Sequence, residues 1–118
     1  MDRNGWIVVI RYFCRTDTED KGVNVGIIAV DQESDQAVVL FRDDWAAVLA
    51  YDPAADVELI AEIQGELQSQ AKHAGGRSLI SALSGTMGNS LRCSDPQPIT
   101  LEQPLTAQAA SLAVKYLS

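Results

Sequence analysis

Three stretches in the first third of the chain limit its folding options more than anything else in it. Trp6 to Cys14 (WIVVIRYFC), Val23 to Val30 (VNVGIIAV) and Ala37 to Phe41 (AVVLF) are dense in β-branched and aromatic residues. Such side chains pack best on a pleated surface. Successive strand residues point to opposite faces, and here both alternate sets are largely apolar. A sheet made from these runs must therefore be covered at least partly on each side. The polar turn Gln32-Glu33-Ser34-Asp35 joins the second run to the third, and the mostly polar Arg15 to Gly22 joins the first to the second. An antiparallel meander is the economical pairing.

Helical signals follow. Asp43 is placed to cap a short helix running to Ala50. Asp52-Pro53 reads as an N-cap with proline at the first helical position. From there Val57, Ile60, Ile63, Leu67 and Ala71 recur at the helical period until Gly75-Gly76 stops the run. Arg77 to Asn89 shows no clear period and reads as loop, its glycine-rich end included. Ser90 to Ser94 reads as a short strand closed by Asp95-Pro96, and Pro98 confines any pairing of Ile99-Thr100-Leu101 to a sheet edge. Pro104 opens a last helix with Leu105, Ala109, Leu112, Ala113 and Tyr116 as its apolar stripe. The expected fold is one α+β domain over residues 1–118: an antiparallel sheet, a meander of three strands plus a later strand, with helices packed on it. A chain of 118 residues can bury a core of its own without disulfides or metal.

Charge narrows the partners. The net charge of −7 excludes a phosphate-backbone binder, which needs clustered Lys and Arg, and argues against an anionic membrane surface. All of it lies in residues 1–59, mostly between the apolar runs, as solvated loops would carry it. The functional counterpart is an acidic docking surface for a basic protein. No apolar stretch is long enough to span a bilayer, and the start lacks a signal-peptide pattern. Cys14 and Cys93 read as reduced core thiols, which places the chain in the cytoplasm.

A candidate site emerges from strand register. A symmetric Gln32–Asp35 turn puts Asp31 opposite Gln36 and Gly26 opposite Phe41. Pairing Cys14 with Val23 then sets Arg11 beside Gly26. One face carries Trp6, Val8, Ile10, Tyr12 and the odd-numbered residues 23–29, and would take the long helix. On the other face Arg11, Asn24 and Gly26 cluster. Guanidinium and carboxamide donors are costly to bury unpaired, so they meet partners or open to solvent. The functional reading is a binding site for an anionic or carbonyl group built from Arg11, Asn24, Gly26 and Arg92. The structural reading pairs Arg11 with a carboxylate and has Asn24 tie down a loop.

Nothing in the sequence identifies catalytic residues, a metal set or a cofactor motif. His73 stands near the C-terminal end of the long helix, where a cation suits the helix dipole. Glu58, Glu62 and Glu66 line one helix face without further ligands, and neither glycine-containing stretch carries a P-loop Lys-Ser/Thr.

Ile10-Arg11-Tyr12-Phe13, the acidic loop and Val23-Asn24-Val25-Gly26-Ile27-Ile28 resemble the opening of the bacterial domain-of-unknown-function 3037 family. Ser90-Leu91-Arg92-Cys93-Ser94-Asp95-Pro96 through Leu117 resembles that family's closing strand and final helix. One departure is Lys21, where the family pattern favours Glu. If that Glu partners Arg11, Glu19 or Asp20 must replace it here. The resemblance implies no activity, and it points to a kinase-like neighbour, similar to persistence toxins, as a partner. The expectation is a small cytoplasmic bacterial module for protein interaction or regulation, without catalysis of its own. The alternative is a small enzyme or ligand-binding domain that uses Arg11 and Asn24 for an anionic group. A homodimer through an apolar sheet face stays open.

Overall fold

The computed structural model describes residues 3–14, 22–83 and 91–117. Among these, five strands and four helices run β1 (Arg3–Tyr12), β2 (Val23–Asp31), β3 (Ala37–Phe41), α1 (Ala46–Tyr51), α2 (Val57–Ala74), α3 (Gly76–Leu83), β4 (Leu91–Cys93), β5 (Gln97–Leu101) and α4 (Leu105–Leu117). The strands form one antiparallel sheet ordered β3-β2-β1-β4, with β5 also paired to β1. This is the α+β architecture that the sequence predicts.

Register decides which residues face which helix. β2 pairs with β3 as the symmetric turn requires, Gly26 opposite Phe41. The β1–β2 pairing differs from the expected one. Tyr12, not Cys14, lies opposite Val23, and Arg11 lies opposite Asn24; the ladder then shifts, and Ile10 lies opposite Gly26. Val25 is the extra residue of this β-bulge, which reverses the alternation of β2 about that point. Val23 and Val25 keep the orientation expected of them, whereas Ile27 and Ala29 turn to the opposite face. Because β2 is apolar on both sides, its alternation contains no signal for the bulge.

Two cores result. Val8, Ile10, Val25, Ile28, Val30, Val39 and Phe41 pack against Val48 of α1, Ile60 and Leu67 of α2, and Leu79 and Leu83 of α3. On the other face Ile7, Ile27, Ala29 and Leu101 receive Leu105, Ala109 and Leu117 of α4. Neighbouring Ile27 and Ile28 are both 0% exposed although they point in opposite directions, so both faces of β2 are dry. Each such side chain contributes roughly 1.5–3 kcal/mol by burial.

Local polar contacts set the helix boundaries, and several differ from the sequence reading. α2 starts at Val57, where Asp56 accepts the Leu59 N–H at 3.0 Å. Asp52 accepts the Ala54 N–H at 3.0 Å in a turn one step earlier, and so is not the cap of α2. Asp44 rather than Asp43 accepts the Ala46 N–H ahead of α1, at 2.8 Å. Gly75, with φ 80°, ends α2 as expected, but Gly76 begins a further helix, α3, within the stretch that reads as loop. The β2–β3 turn holds that helix start. Asp35, itself at φ 59°, accepts Gly76 N–H on its carbonyl at 2.7 Å and Arg77 N–H on its carboxylate at 2.8 Å. An acceptor from a distant turn thus satisfies orphan donors that would otherwise need a local cap.

Both sheet edges are blunted. On β3 the Val39 carbonyl accepts from Gln68 of α2 at 3.3 Å. On β5, Pro98 lies opposite Trp6. The break between β4 and β5 is bridged by Ser94, whose N–H donates to the Val9 carbonyl and whose hydroxyl accepts the Val9 N–H, both at 2.9 Å. Short, interrupted and proline-bearing edges resist further strand addition.

Gly26 faces the α2 side, and a Cβ there would stand 2.7 Å from the Phe41 ring. Gly26→Ala should therefore destabilise the protein by about 1–3 kcal/mol through overpacking. Urea denaturation checks this, and the double variant Gly26→Ala/Phe41→Leu should cost less than the sum of the two single changes.

Candidate functional site

At the end of the sheet near the last turn of α4, three strands place Arg92, Arg11 and Asn24 in a row. Arg11 of β1 lies opposite Arg92 of β4 on one side and Asn24 of β2 on the other. The fourth residue expected there, Gly26, is not part of the row. The bulge turns it to the opposite face, beneath Phe41. The row contains instead a residue the sequence reading missed: Arg42, just beyond β3, donates Nε–H to the Asn24 carbonyl at 2.6 Å.

The cross-strand pair of guanidiniums would repel if nothing lay between them. Phe13 lies there, its ring centroid 4.7 Å from Arg92 Cζ and 6.0 Å from Arg11 Cζ. A ring face attracts cations by its quadrupole, by about 0.5–1 kcal/mol at exposed sites. Gly22, with φ 62°, gives this ring its space, since a Cβ there would meet Phe13 Cε1 at 2.8 Å.

Asn24 carries the charge of Arg11 inward. Arg11 Nε–H donates to Asn24 Oδ1 at 2.8 Å, and Asn24 Nδ2–H donates to the Tyr116 carbonyl at 2.9 Å. The last carbonyls of α4 are the negative end of its dipole, so a cation linked there through one polarised amide is favourable. Arg11 remains exposed, and its two terminal nitrogens make no further hydrogen bond among the described residues. The expected carboxylate partners, Glu19 and Asp20, lie outside the described residues, as does Lys21.

A second polar cluster, also missed in the sequence, ties the end of β1 to the end of α1. Tyr12 donates its hydroxyl to Asp52 Oδ2 at 2.5 Å, and the Cys14 N–H donates to the Tyr51 hydroxyl at 3.0 Å. The two tyrosine rings meet edge to face at 6.2 Å. The Tyr12 hydroxyl holds the Asp52 carboxyl below its ordinary range, against the opposing effect of burial. Burial, then the hydrogen bond to Asp52 and its charge, raises the Tyr12 phenol. Burial also pushes the Cys93 thiol up to about 11, so it stays protonated near neutral pH and is a poor nucleophile. Among the described residues no group of three or more His, Cys, Asp and Glu side chains could hold a metal ion.

Two expectations follow. Asn24→Leu leaves the Tyr116 carbonyl and Arg11 Nε–H without their partner and should cost about 1–3 kcal/mol in urea denaturation. Asn24→Asp keeps the acceptor for Arg11 but sets a carboxylate against a carbonyl, so it should be destabilised at pH 7. The Tyr12–Asp52 pair makes a pH-dependent contribution. A carboxyl depressed in the folded state stabilises above its unfolded value of about 3.9, and that stabilisation is lost as pH falls through the folded value. The difference in urea midpoint between wild type and Tyr12→Phe should therefore be widest near neutral pH and shrink below about pH 4.

No curated protein and no solved structure matches the chain. The family model described as "Protein of unknown function (DUF3037)" matches residues 8–113. That span runs from the middle of β1 into the last turns of α4 and takes in Arg11, Asn24, Arg42 and Arg92. The chain belongs to the DUF3037 family.

Proposed function

We propose that this protein is a non-catalytic interaction module of the bacterial cytoplasm that takes an anionic group of a protein partner on Arg11. One observation supports the reading: Arg11 is an exposed residue that donates Nε–H to Asn24, and its terminal nitrogens make no further hydrogen bond among the described residues. A guanidinium held in this way is a pre-oriented fork for a carboxylate, and little side-chain entropy is lost when one binds. Asn24 positions the fork, Phe13 supports it, and Arg92 adds to the local positive potential.

Many carboxylates that suggested a basic partner have internal roles: Asp31 pairs with Arg3 at 2.9 Å, Asp35 and Asp56 hold helix starts, and Asp52 binds Tyr12. No helix among the described residues is long and apolar enough to cross a membrane, and neither Cys14 nor Cys93 is in a disulfide, as suits a reducing compartment.

Affinity purification of the tagged protein from its native cells, with wild type, Arg11→Ala and Arg11→Lys in parallel, tests the reading. A stoichiometric protein partner should accompany wild type, fall at least tenfold with Arg11→Ala, and be only partly restored by Arg11→Lys. Wild type and both variants should keep a cooperative melting transition. Undiminished recovery on Arg11→Ala, or turnover of a small anionic substrate that depends on Arg11, would overturn it.

A further inference from the structure

The hollow beside the Arg11 row has a charge pattern of its own. It measures about 340 Å³ and lies between the end of β3 and the last turns of α4. Phe41, Ala113 and Leu117 make its apolar lining. Val114 forms one side and is 72% exposed, more than any other large apolar side chain described. Asp43 and Asp44, both exposed, stand at its rim. Asp44 uses one oxygen on the Ala46 N–H, and Asp43 makes no hydrogen bond or ion pair among the described residues.

The Asp43 and Asp44 carboxylates and the carbonyl end of the α4 dipole bring negative potential to this rim, set against the cations of Arg42 in the lining and Lys115 in the last turn of α4. Arg42, which also lines the hollow, directs Nε–H to the Asn24 carbonyl and so joins the hollow to the Arg11 row. From these we infer that the hollow is a docking site for a protein segment carrying a large aliphatic side chain next to a lysine or arginine. The aliphatic group covers Val114, and the cation meets Asp43 and Asp44. The inference rests on the interaction-module reading and adds the chemistry of a second contact. A partner that spans both sites presents a carboxylate to Arg11, then an aliphatic side chain, then a cation. Nucleic acid is disfavoured, because its phosphates would face the two aspartates.

The test uses the whole chain, labelled with 15N, and three blocked dipeptides: acetyl-Leu-Arg-amide, acetyl-Leu-Glu-amide and acetyl-Ala-Arg-amide. Acetyl-Leu-Arg-amide should shift the amide signals of Ala113, Val114 and Leu117, with an affinity at least fivefold above either of the others. Asp43→Asn/Asp44→Asn, which keeps an acceptor for the Ala46 N–H, should weaken it at least fivefold. Equal binding of the Leu-Glu probe, shifts outside the hollow, or indifference to the aspartate changes would overturn the inference. The titration reads the hollow with wild-type Arg11 in place, whereas the partner recovery reads Arg11 itself, so either can fail while the other succeeds.

Discussion

The bulge at Val25 is the constraint on which the rest of this structure depends. Before it, Asn24 faces α4; after it, Ile28 and Val30 face α2 and Ile27 and Ala29 face α4. Without the extra residue, β2 could not present valines to the larger core at its start and isoleucine and valine to the same core at its end. The same local turn sets Asn24 against both Arg11 and the Tyr116 carbonyl. Core packing and the polar row are thus two consequences of one backbone irregularity.

Around that strand the chain uses its polar groups to fasten elements distant in sequence. Asp35, in a hairpin turn, holds the start of α3; Tyr12, in a strand, holds Asp52 beyond α1; Asn24 holds the end of α4. Each link brings a carboxylate or amide to backbone donors, acceptors or a hydroxyl that would otherwise be left unsatisfied. Buried Asp31 follows the same logic. Burial alone would raise its carboxyl, but the Glu33 and Ser34 N–H groups and the Arg3 guanidinium outweigh that effect and hold it below the ordinary range. An acidic chain can therefore be stable at neutral pH, because much of its charge is directed at local donors rather than at other carboxylates.

The arginine row has a structural role and an outward-facing one at once. Inward, Arg42 donates to the Asn24 carbonyl, and Arg11 is linked through the Asn24 amide to the negative end of α4; outward, Arg11 is an exposed residue on an otherwise acidic molecule. In the proposed interaction such an anchor gains affinity from pre-orientation more than from contact area, and the opposite rim charge of the neighbouring hollow would give the contact a direction.

By itself the sequence determined the α+β class, the β2–β3 register, the amphipathic stripes of α2 and α4, the stop at Gly75 and the edge position of Pro98. These follow from periodicity, proline's missing donor and glycine's access to positive φ, all of which act over a few residues. Arg11 and Asn24 are legible in the sequence as residues that a two-sided apolar sheet cannot bury unpaired. Only the tertiary structure decided that Gly26 leaves their cluster, that Arg42 and the Tyr116 carbonyl join it, that α3 forms, and that Tyr12 meets Asp52. Each of these depends on register or on a partner tens of residues away. A strand apolar on both faces carries no local signal for a one-residue shift.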